Sequence, residues 1–296
     1  LNMQNYESEI SHFDNLEAQE NKQTFTRKIR TNKIFIHIML FVLTIGSTWL
    51  AHGVWYAVAI VSILLAHEMG HYLMCRKYKI PATLPYFLPF PFPALNPFGT
   101  MGAVIKMEGR IPTRKALFDV GAAGPIAGLV LTIPALIIGL KLSTVIKVDQ
   151  TPEFSIYLGE SFLFSQLSKL IIGNLEQGYD VVLHPVAFAG WAGLFVTALN
   201  LLPIGQLDGG HILYALFGRK SKDIYKLSLF GFIFICAIWY PGWLLLILLL
   251  IWFGFRHPPP INDYTKLDKK RRIIGYIIFI IFLISFTPVP FKLAGP

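Results

Sequence analysis

Long apolar stretches alternate with short polar connections along most of this chain. Runs of spanning length predict transmembrane helices over about residues 34–51, 53–74, 116–140, 183–203 and 273–290. Residues 227–255 are equally apolar and form either one long kinked helix or a hairpin of two short helices that turns at Pro241-Gly242. With the hairpin preferred, the pattern predicts an all-α polytopic membrane protein with about seven crossings.

One segment between the second and third spans breaks the helical pattern. Six prolines lie between Pro81 and Pro97, amid Phe, Leu and Tyr, and they exclude a regular helix. The next residues, GTMGAVIKM (99–107), predict a short strand. Irregular backbone at membrane depth is tolerated only against protein or a cavity. We therefore expect a re-entrant segment with a short β element, and an apolar interfacial loop is the alternative.

Composition and charge agree with a membrane location. The chain is 54% hydrophobic and its formal net charge is +9. Its basic residues cluster beside apolar runs, as membrane topology and anionic lipids require, so no nucleic-acid partner is expected. By the positive-inside rule the N-terminus is cytosolic, and the hairpin over 227–255 keeps the basic residues that follow it on the same side.

The sequence His67-Glu68-Met69-Gly70-His71 lies at the end of the second apolar run. Histidines four apart on a helix lie about 40° apart around the axis and roughly 6 Å along it, so both can reach one metal ion. Zinc hydrolases use this arrangement with the intervening glutamate as general base. Ionisable residues in a membrane segment indicate function by default.

A third metal ligand is expected because catalytic zinc usually takes three from the protein. Outside loops and tail, the acids near apolar segments are Glu68, Asp119 and Asp208. Asp119 is expected to pair at the interface with Arg114 or Lys115, or to act as a helix-start charge. Asp208 follows the fourth span at the depth predicted for the histidines and is the favoured ligand. The alternative is a turn aspartate that caps a helix.

HEMGH in one predicted span and NLLPIGQLDGG in a later one resemble the site-2 protease family of intramembrane zinc metalloproteases. The resemblance covers about residues 53–215, and RHPPPIND before the last span is similar to the branch with chloroplast gravitropism-linked members and bacterial relatives. It implies that His67, His71 and Asp208 bind one zinc ion and that Glu68 activates water. The family's usual PDZ module is not expected, because residues 141–182 are too few.

This resemblance implies a domain layout and a set of partners. Residues 1–33 are expected to form a cytosolic polar tail, 34–290 an intramembrane metalloprotease domain and 291–296 a C-terminal tail. The expected substrate is a transmembrane protein cleaved within or near its membrane segment, in the lipid bilayer. A bacterial cytoplasmic membrane is the expected location, with an organellar membrane left open. The sequence leaves the oligomeric state open.

A helical substrate hides its peptide carbonyls, so it must unwind to be cleaved. Gly102 and Ala103 lie in the predicted strand, which is expected to pair with the extended substrate. Asn200, two turns before Asp208, is a candidate donor to the oxyanion or to the substrate, and a helix–helix hydrogen bond is its alternative role. His211 is expected at the cytosolic surface. Structural roles are expected for His37, His52 and His184, and Cys75 and Cys236 are expected to form neither a disulfide nor a thiol site.

Three other functions stay open at this point. A CAAX-type membrane protease also carries HExxH, but it would take a glutamate from a later apolar helix, and none follows Glu68. A non-proteolytic membrane chaperone or assembly factor has no need of Glu68. A metal transporter would need ligands along its transport path, whereas the candidate ligands here are predicted at a single depth in the membrane.

Overall fold

The computed structural model describes residues 3–92, 95–148, 156–254 and 259–293. Within these ranges the helices are α1 Met3–Lys77, α2 Arg114–Lys141, α3 Phe162–Ile171, α4 Pro185–Asn200, α5 Asp208–Phe217, α6 Ser221–Ile238, α7 Leu244–Gly254 and α8 Lys269–Ser285. The strands are β1 Tyr86–Pro89, β2 Thr100–Val104, β3 Thr144–Lys147, β4 Ile156–Leu158, β5 Tyr179–Val182 and β6 Phe291–Leu293. They form three antiparallel pairs, β1–β2, β3–β5 and β4–β6.

Helix α1 is two helices joined at a break. Gly53 has φ +83°, a conformation that glycine adopts without strain, and His52 is also non-helical. The break divides the apolar run where the sequence places the boundary between the first two predicted spans. The predicted polar tail (1–33) falls mainly on the first part of α1, and residues 1, 2 and 294–296 of the two predicted tails lie outside the described ranges.

The apolar helices agree in part with the predicted spans. Among the described residues, Ile34–Lys77 and Arg114–Lys141 are long and apolar enough to cross a membrane by length and composition. Phe162–Ile171 and Pro185–Asn200 are shorter apolar helices. The segment over 227–255 contains the larger part of α6 and all of α7, separated by a turn at Pro241–Trp243 as in the preferred hairpin. The number of crossings, seven, stays a prediction.

The expectation of an all-α chain needs a correction, because three strand pairs accompany the helices. Two of them, β3–β5 and β4–β6, were not predicted. Strands β3, β4 and β5 lie in the connection between α2 and α4, whereas β6 follows α8. The third pair contains the predicted strand: β2 lies inside residues 99–107 and pairs with β1. The bundle is therefore mostly helical with a small β component.

The β1–β2 hairpin is fixed between α1 and α4 by contacts at both of its ends. His37 Nδ1 lies 3.1 Å from the Pro85 carbonyl oxygen, and His52 Nε2 lies 2.6 Å from that of Pro97. At the turn, the Tyr56 hydroxyl donates to the Phe98 carbonyl (3.0 Å). The Phe98 ring stacks with aromatic rings of α4, namely Phe188, Trp191 and Phe195. These contacts give His37 and His52 structural positions and hold β2 close to α1.

An ion-pair network ties α8 to α1 and α2. Arg271 donates to both oxygens of Asp119 (2.7 Å each) and to Asp268 (2.6 Å). The Tyr78 hydroxyl donates to Asp119 (2.5 Å). Asp119 thus pairs at the interface as expected, but its partner is Arg271 and not Arg114 or Lys115. Arg114 instead donates to the Ala215 carbonyl near the end of α5 (2.7 and 3.1 Å).

Candidate metal centre

Two helices bring the predicted site residues together. The second part of α1 carries His67, Glu68 and His71, and all three side chains are buried. Asp208 is the first residue of α5, where the exposed N–H groups of a helix start favour a carboxylate. Residues far apart in the chain thereby face one another inside the bundle.

The three candidate ligand atoms form a nearly equilateral triangle. His67 Nε2 and His71 Nε2 lie 3.2 Å apart, and each lies 3.3 Å from Asp208 Oδ2. Ligands bound 2.0–2.1 Å from a tetrahedral zinc ion lie about 3.3 Å from one another. The donor set of two imidazoles and one carboxylate, open on its fourth side, is also that of catalytic zinc. Both distances and chemistry therefore fit a single zinc ion.

Neighbouring backbone orients His71. Its Nδ1 lies 2.8 Å from the Val120 carbonyl oxygen in α2, so the ring donates this proton and turns Nε2 toward the other ligands. Metal-binding histidines commonly have such a partner, which fixes both tautomer and ring orientation. Val120 follows Asp119, so the network around Arg271 holds the same turn of α2.

Glycines in α2 make room for the histidine rings. A Cβ atom at Gly124 would overlap the His71 ring, and one at Gly128 would lie 3.2 Å from His67 Nδ1. On α1 itself, a Cβ at Gly70 would overlap the Ala123 carbonyl oxygen. No pattern in the sequence marks these glycines as neighbours of the ligands.

The Gly209-Gly210 pair lets α5 begin close to the preceding turn. A Cβ at Gly209 would overlap the Leu201 carbonyl, and one at Gly210 would overlap that of Gly205. Without these side chains the first turn of α5 packs directly on residues 201–205. This close packing fixes the position from which Asp208 reaches the histidines.

A cavity of about 230 Å³ opens beside the triangle. Its lining includes all four predicted metal-site residues, together with Asn200 and Ala103, whereas Gly102 is not part of it. Asn200 Nδ2 lies 3.3 Å from His67 Nε2. His211 also lines this cavity, so its predicted position at the cytosolic surface is wrong. The helix start at Asp208 directs the next turn of α5 inward, which hydropathy alone did not indicate.

Some contributors to the site gave no signal in the sequence. The Ile105 backbone lies close to the Glu68 carboxylate, and the Val120 carbonyl accepts from His71. Every residue has such backbone groups, so only the fold reveals which of them matter. Gln206 also lines the cavity, and its place beside Asp208 in NLLPIGQLDGG is a signal that could have found it.

We expect Gly124→Ala to weaken zinc binding at least about tenfold, because the new methyl group displaces the His71 ring and a changed outer contact typically costs 10–100-fold in metal affinity. Zinc content after dialysis against a graded chelator measures the effect. Gly231→Ala is the matched control, since a Cβ there meets nothing within 4 Å. Equal zinc retention by both variants would contradict this role of Gly124.

The geometry agrees with comparisons to known proteins. The family model of peptidase family M50 matches residues 55–238. "Probable zinc metalloprotease EGY1, chloroplastic" of Arabidopsis thaliana is 31% identical over 248 residues, which are 80% of this chain and 43% of that protein. "Probable zinc metalloprotease EGY2, chloroplastic" is 32% identical in Oryza sativa subsp. indica (82% of this chain, 44% of the relative) and 30% identical in Arabidopsis thaliana (79% and 41%).

These relatives are longer than this chain, and their names give a cellular location. The chain spans less than half the length of each relative. Their names describe chloroplast proteins, so they give no support to the expected bacterial cytoplasmic membrane. The matched region begins at Trp55, within α1, and ends at the last residue of α6, so it contains the entire candidate metal centre.

Proposed function

Since the chain belongs to peptidase family M50, the membrane-embedded site-2 protease family, we propose that it is a zinc metalloprotease that hydrolyses a peptide bond within or near a transmembrane segment of a membrane protein. The observation that carries this proposal is the triangle of His67, His71 and Asp208 with Glu68 in the same cavity. A metal-binding role alone would not need a buried carboxylate beside the ligands. Peptide hydrolysis does need one, as general base.

The chemistry divides between the ion and the side chains around it. When bound, zinc acts as a Lewis acid that polarises the scissile carbonyl and makes water a stronger nucleophile near neutral pH. Glu68 takes the proton from the attacking water and later delivers it to the nitrogen of the leaving amine. Ile105, the residue after β2, lies beside Glu68 in the lining of the same cavity. His67, His71 and Asp208 serve as the ligands.

The outer edge of β2 is suited to hold an unwound substrate. The backbone of Lys106 faces Thr83: the Thr83 N–H donates to the Lys106 carbonyl (3.0 Å). The backbone of the preceding residue, Ile105, faces the opposite side, where it lies close to Glu68. Backbone groups alternate along a strand, so the Ala103 N–H has the same direction as that of Ile105. Among the strands described, only β1 pairs with β2, which leaves this edge for a substrate strand.

Asn200 lies where its side chain can donate a hydrogen bond to the substrate or to the oxyanion. Its amide lies beside His67 Nε2 at the wall of the cavity, 3.3 Å away. From there the NH₂ group can donate to a substrate oxygen as negative charge develops during attack. Gly102 contributes differently: its φ of +93° shapes the strand that carries Ala103.

Ala103→Pro is expected to slow cleavage of a transmembrane reporter roughly tenfold, because one backbone hydrogen bond is worth about 1 kcal/mol and the proline ring crowds the pairing edge. Ala103→Ser is the matched control, since it keeps the N–H group. Zinc content should be unchanged in both variants. Wild-type cleavage by Ala103→Pro with normal zinc would refute strand pairing. Gly102→Pro is a poorer test because proline cannot adopt φ +93°.

The proposed activity is tested by reconstituting the full chain in liposomes with a single-span reporter. Cleavage should depend on zinc, stop after chelation and return when zinc alone is restored. Mass spectrometry of the products places the cut, which we expect inside or at the edge of the reporter's membrane segment. Cleavage only of soluble peptides would support a metalloprotease of another specificity and refute the proposal.

The proposed domain spans residues 34–290, with the N-terminus on the side of the membrane that also holds the basic connection between α1 and α2. Seven Lys and Arg residues against one acid in residues 75–115 support this orientation. Single cysteines at Glu108 and at Ser168, labelled by an impermeant thiol reagent in sealed vesicles of known orientation, test it. We expect the two positions to be labelled from opposite sides.

A further inference from the structure

We propose that a cleft on the outer face of the bundle binds an anionic phospholipid of the surrounding bilayer. The cleft has a volume of about 570 Å³ and lies between α1, α2 and α8. It is separate from the metal centre: the helix faces that line it carry Gly70 and Ala123, whereas His67, His71 and Val120 point into the site cavity.

The cleft has an apolar floor and a basic mouth. Its floor is formed mainly by apolar side chains, among them Leu73, Met74, Phe118, Ile126 and Ile274. Leu73 is 54% exposed and Ile126 is 43% exposed, so the floor opens sideways toward the lipid. At one end, the lining includes Lys77, Lys270, Arg271 and Asp119. This division matches a phospholipid, whose acyl chain and phosphate require opposite surroundings.

The charge at the mouth favours an anion. Asp119 and Asp268 are both bound to Arg271, at 2.6–2.7 Å. In the part of the chain that the structure describes, no carboxylate lies within 4.0 Å of the Lys77 or Lys270 ammonium group. Two cations are therefore left to bind a phosphate group, with Lys269 and Arg272 adjacent in the sequence. Basic pockets between transmembrane helices are known to bind anionic head groups in this way.

The position of the cleft favours an acyl chain over a substrate helix. On α1 the lining runs from Gly70 to Lys77, a rise of about 10 Å, and its partly exposed apolar side chains face outward toward the bilayer. The substrate is also expected at β2, in the other cavity. The cleft therefore fits the upper part of a lipid chain whose phosphate lies between Lys77 and Lys270.

Native mass spectrometry of the full chain in a neutral detergent tests this inference with phosphatidylglycerol and phosphatidylcholine of equal acyl length. We expect wild type to prefer phosphatidylglycerol. The double variant Lys77→Gln/Lys270→Gln should lower its affinity for that lipid roughly 30-fold, since each cation contributes about fivefold. It should leave phosphatidylcholine binding nearly unchanged. The same anionic affinity in wild type and double variant would overturn the proposal.

A second pair of variants tests the apolar floor without changing charge. Ile126→Trp fills the cleft and should abolish the preferred lipid adduct. Ile138→Trp is its control, because Ile138 lies on the same helix, is 54% exposed and does not line the cleft. Unchanged lipid binding by Ile126→Trp would refute the cleft as the site. If Ile126→Trp displaces a transmembrane reporter peptide and not the lipid, the cleft belongs to the substrate and the inference is wrong.

Discussion

Glu68→Gln is expected to abolish measurable proteolysis while zinc stays bound. Glutamine fills the same space but cannot accept the proton of the attacking water. General-base catalysis contributes roughly 10²–10⁴-fold, so the cleavage rate of the transmembrane reporter should fall by that factor. Zinc content should remain at one ion per chain, because Glu68 is not among the three clustered ligand atoms.

Glu108→Gln provides the control for this experiment. Glu108 is exposed in the connection after β2, so its loss removes the same charge without touching the site. It should cleave at the wild-type rate. A Glu68→Gln protein that still cleaves the reporter would remove Glu68 from the mechanism. Loss of zinc from this variant would instead make Glu68 a ligand or a support of the ligands.

Asp208→Asn is expected to weaken zinc binding and proteolysis together. A neutral amide oxygen is a poorer ligand for a dication than a carboxylate, and the change also removes the negative charge between the two imidazoles. The affinity loss should exceed the 10–100-fold that follows from altering an outer contact. Competition with a chelator of known zinc affinity measures it, and reporter cleavage at rising zinc concentration shows how far activity can be restored.

Asp223→Asn is the matched control for Asp208. Asp223 also lies in the first turn of a helix, α6, but is exposed and is not part of the cavity lining. It should bind zinc and cleave as wild type does. If Asp208→Asn retains full zinc affinity, Asp208 is a helix-start carboxylate and the triangle of three ligands is wrong.

The sequence predicts much of this arrangement because the chemistry lies in a few costly residues. Histidine, glutamate and aspartate are costly to bury in apolar segments, so their presence there indicates a function. HEMGH together with Asp208 at the same predicted depth indicates that this function is metal binding. The structure brings His67, His71 and Asp208 together at distances that suit zinc. A strand near β2 was also predictable, since six prolines exclude a regular helix over 81–97 and the segment GTMGAVIKM (99–107) follows directly.

What escaped prediction depends on contacts between distant segments. Asp119 has basic neighbours in sequence, yet Arg271 binds it, because α8 packs over that end of α2. The sequence places Gly124 and Gly128 in the third predicted span, but only the assembled bundle shows that histidine rings take the space beside them. The pairs β3–β5 and β4–β6 are three or four residues long, and their partners come from separate loops. The local pattern of polar and apolar residues does not indicate which of these short strands pair.

X-ray absorption at the zinc edge of an Asp208→Cys variant tests whether Asp208 joins His67 and His71 around one zinc ion. Wild type should show only nitrogen and oxygen neighbours, near 2.0–2.1 Å. Asp208→Cys should add one sulfur neighbour at about 2.3 Å, whereas His211→Cys, in the same cavity, should add none. A spectrum of Asp208→Cys without sulfur, with zinc bound as in wild type, would exclude Asp208 as a ligand.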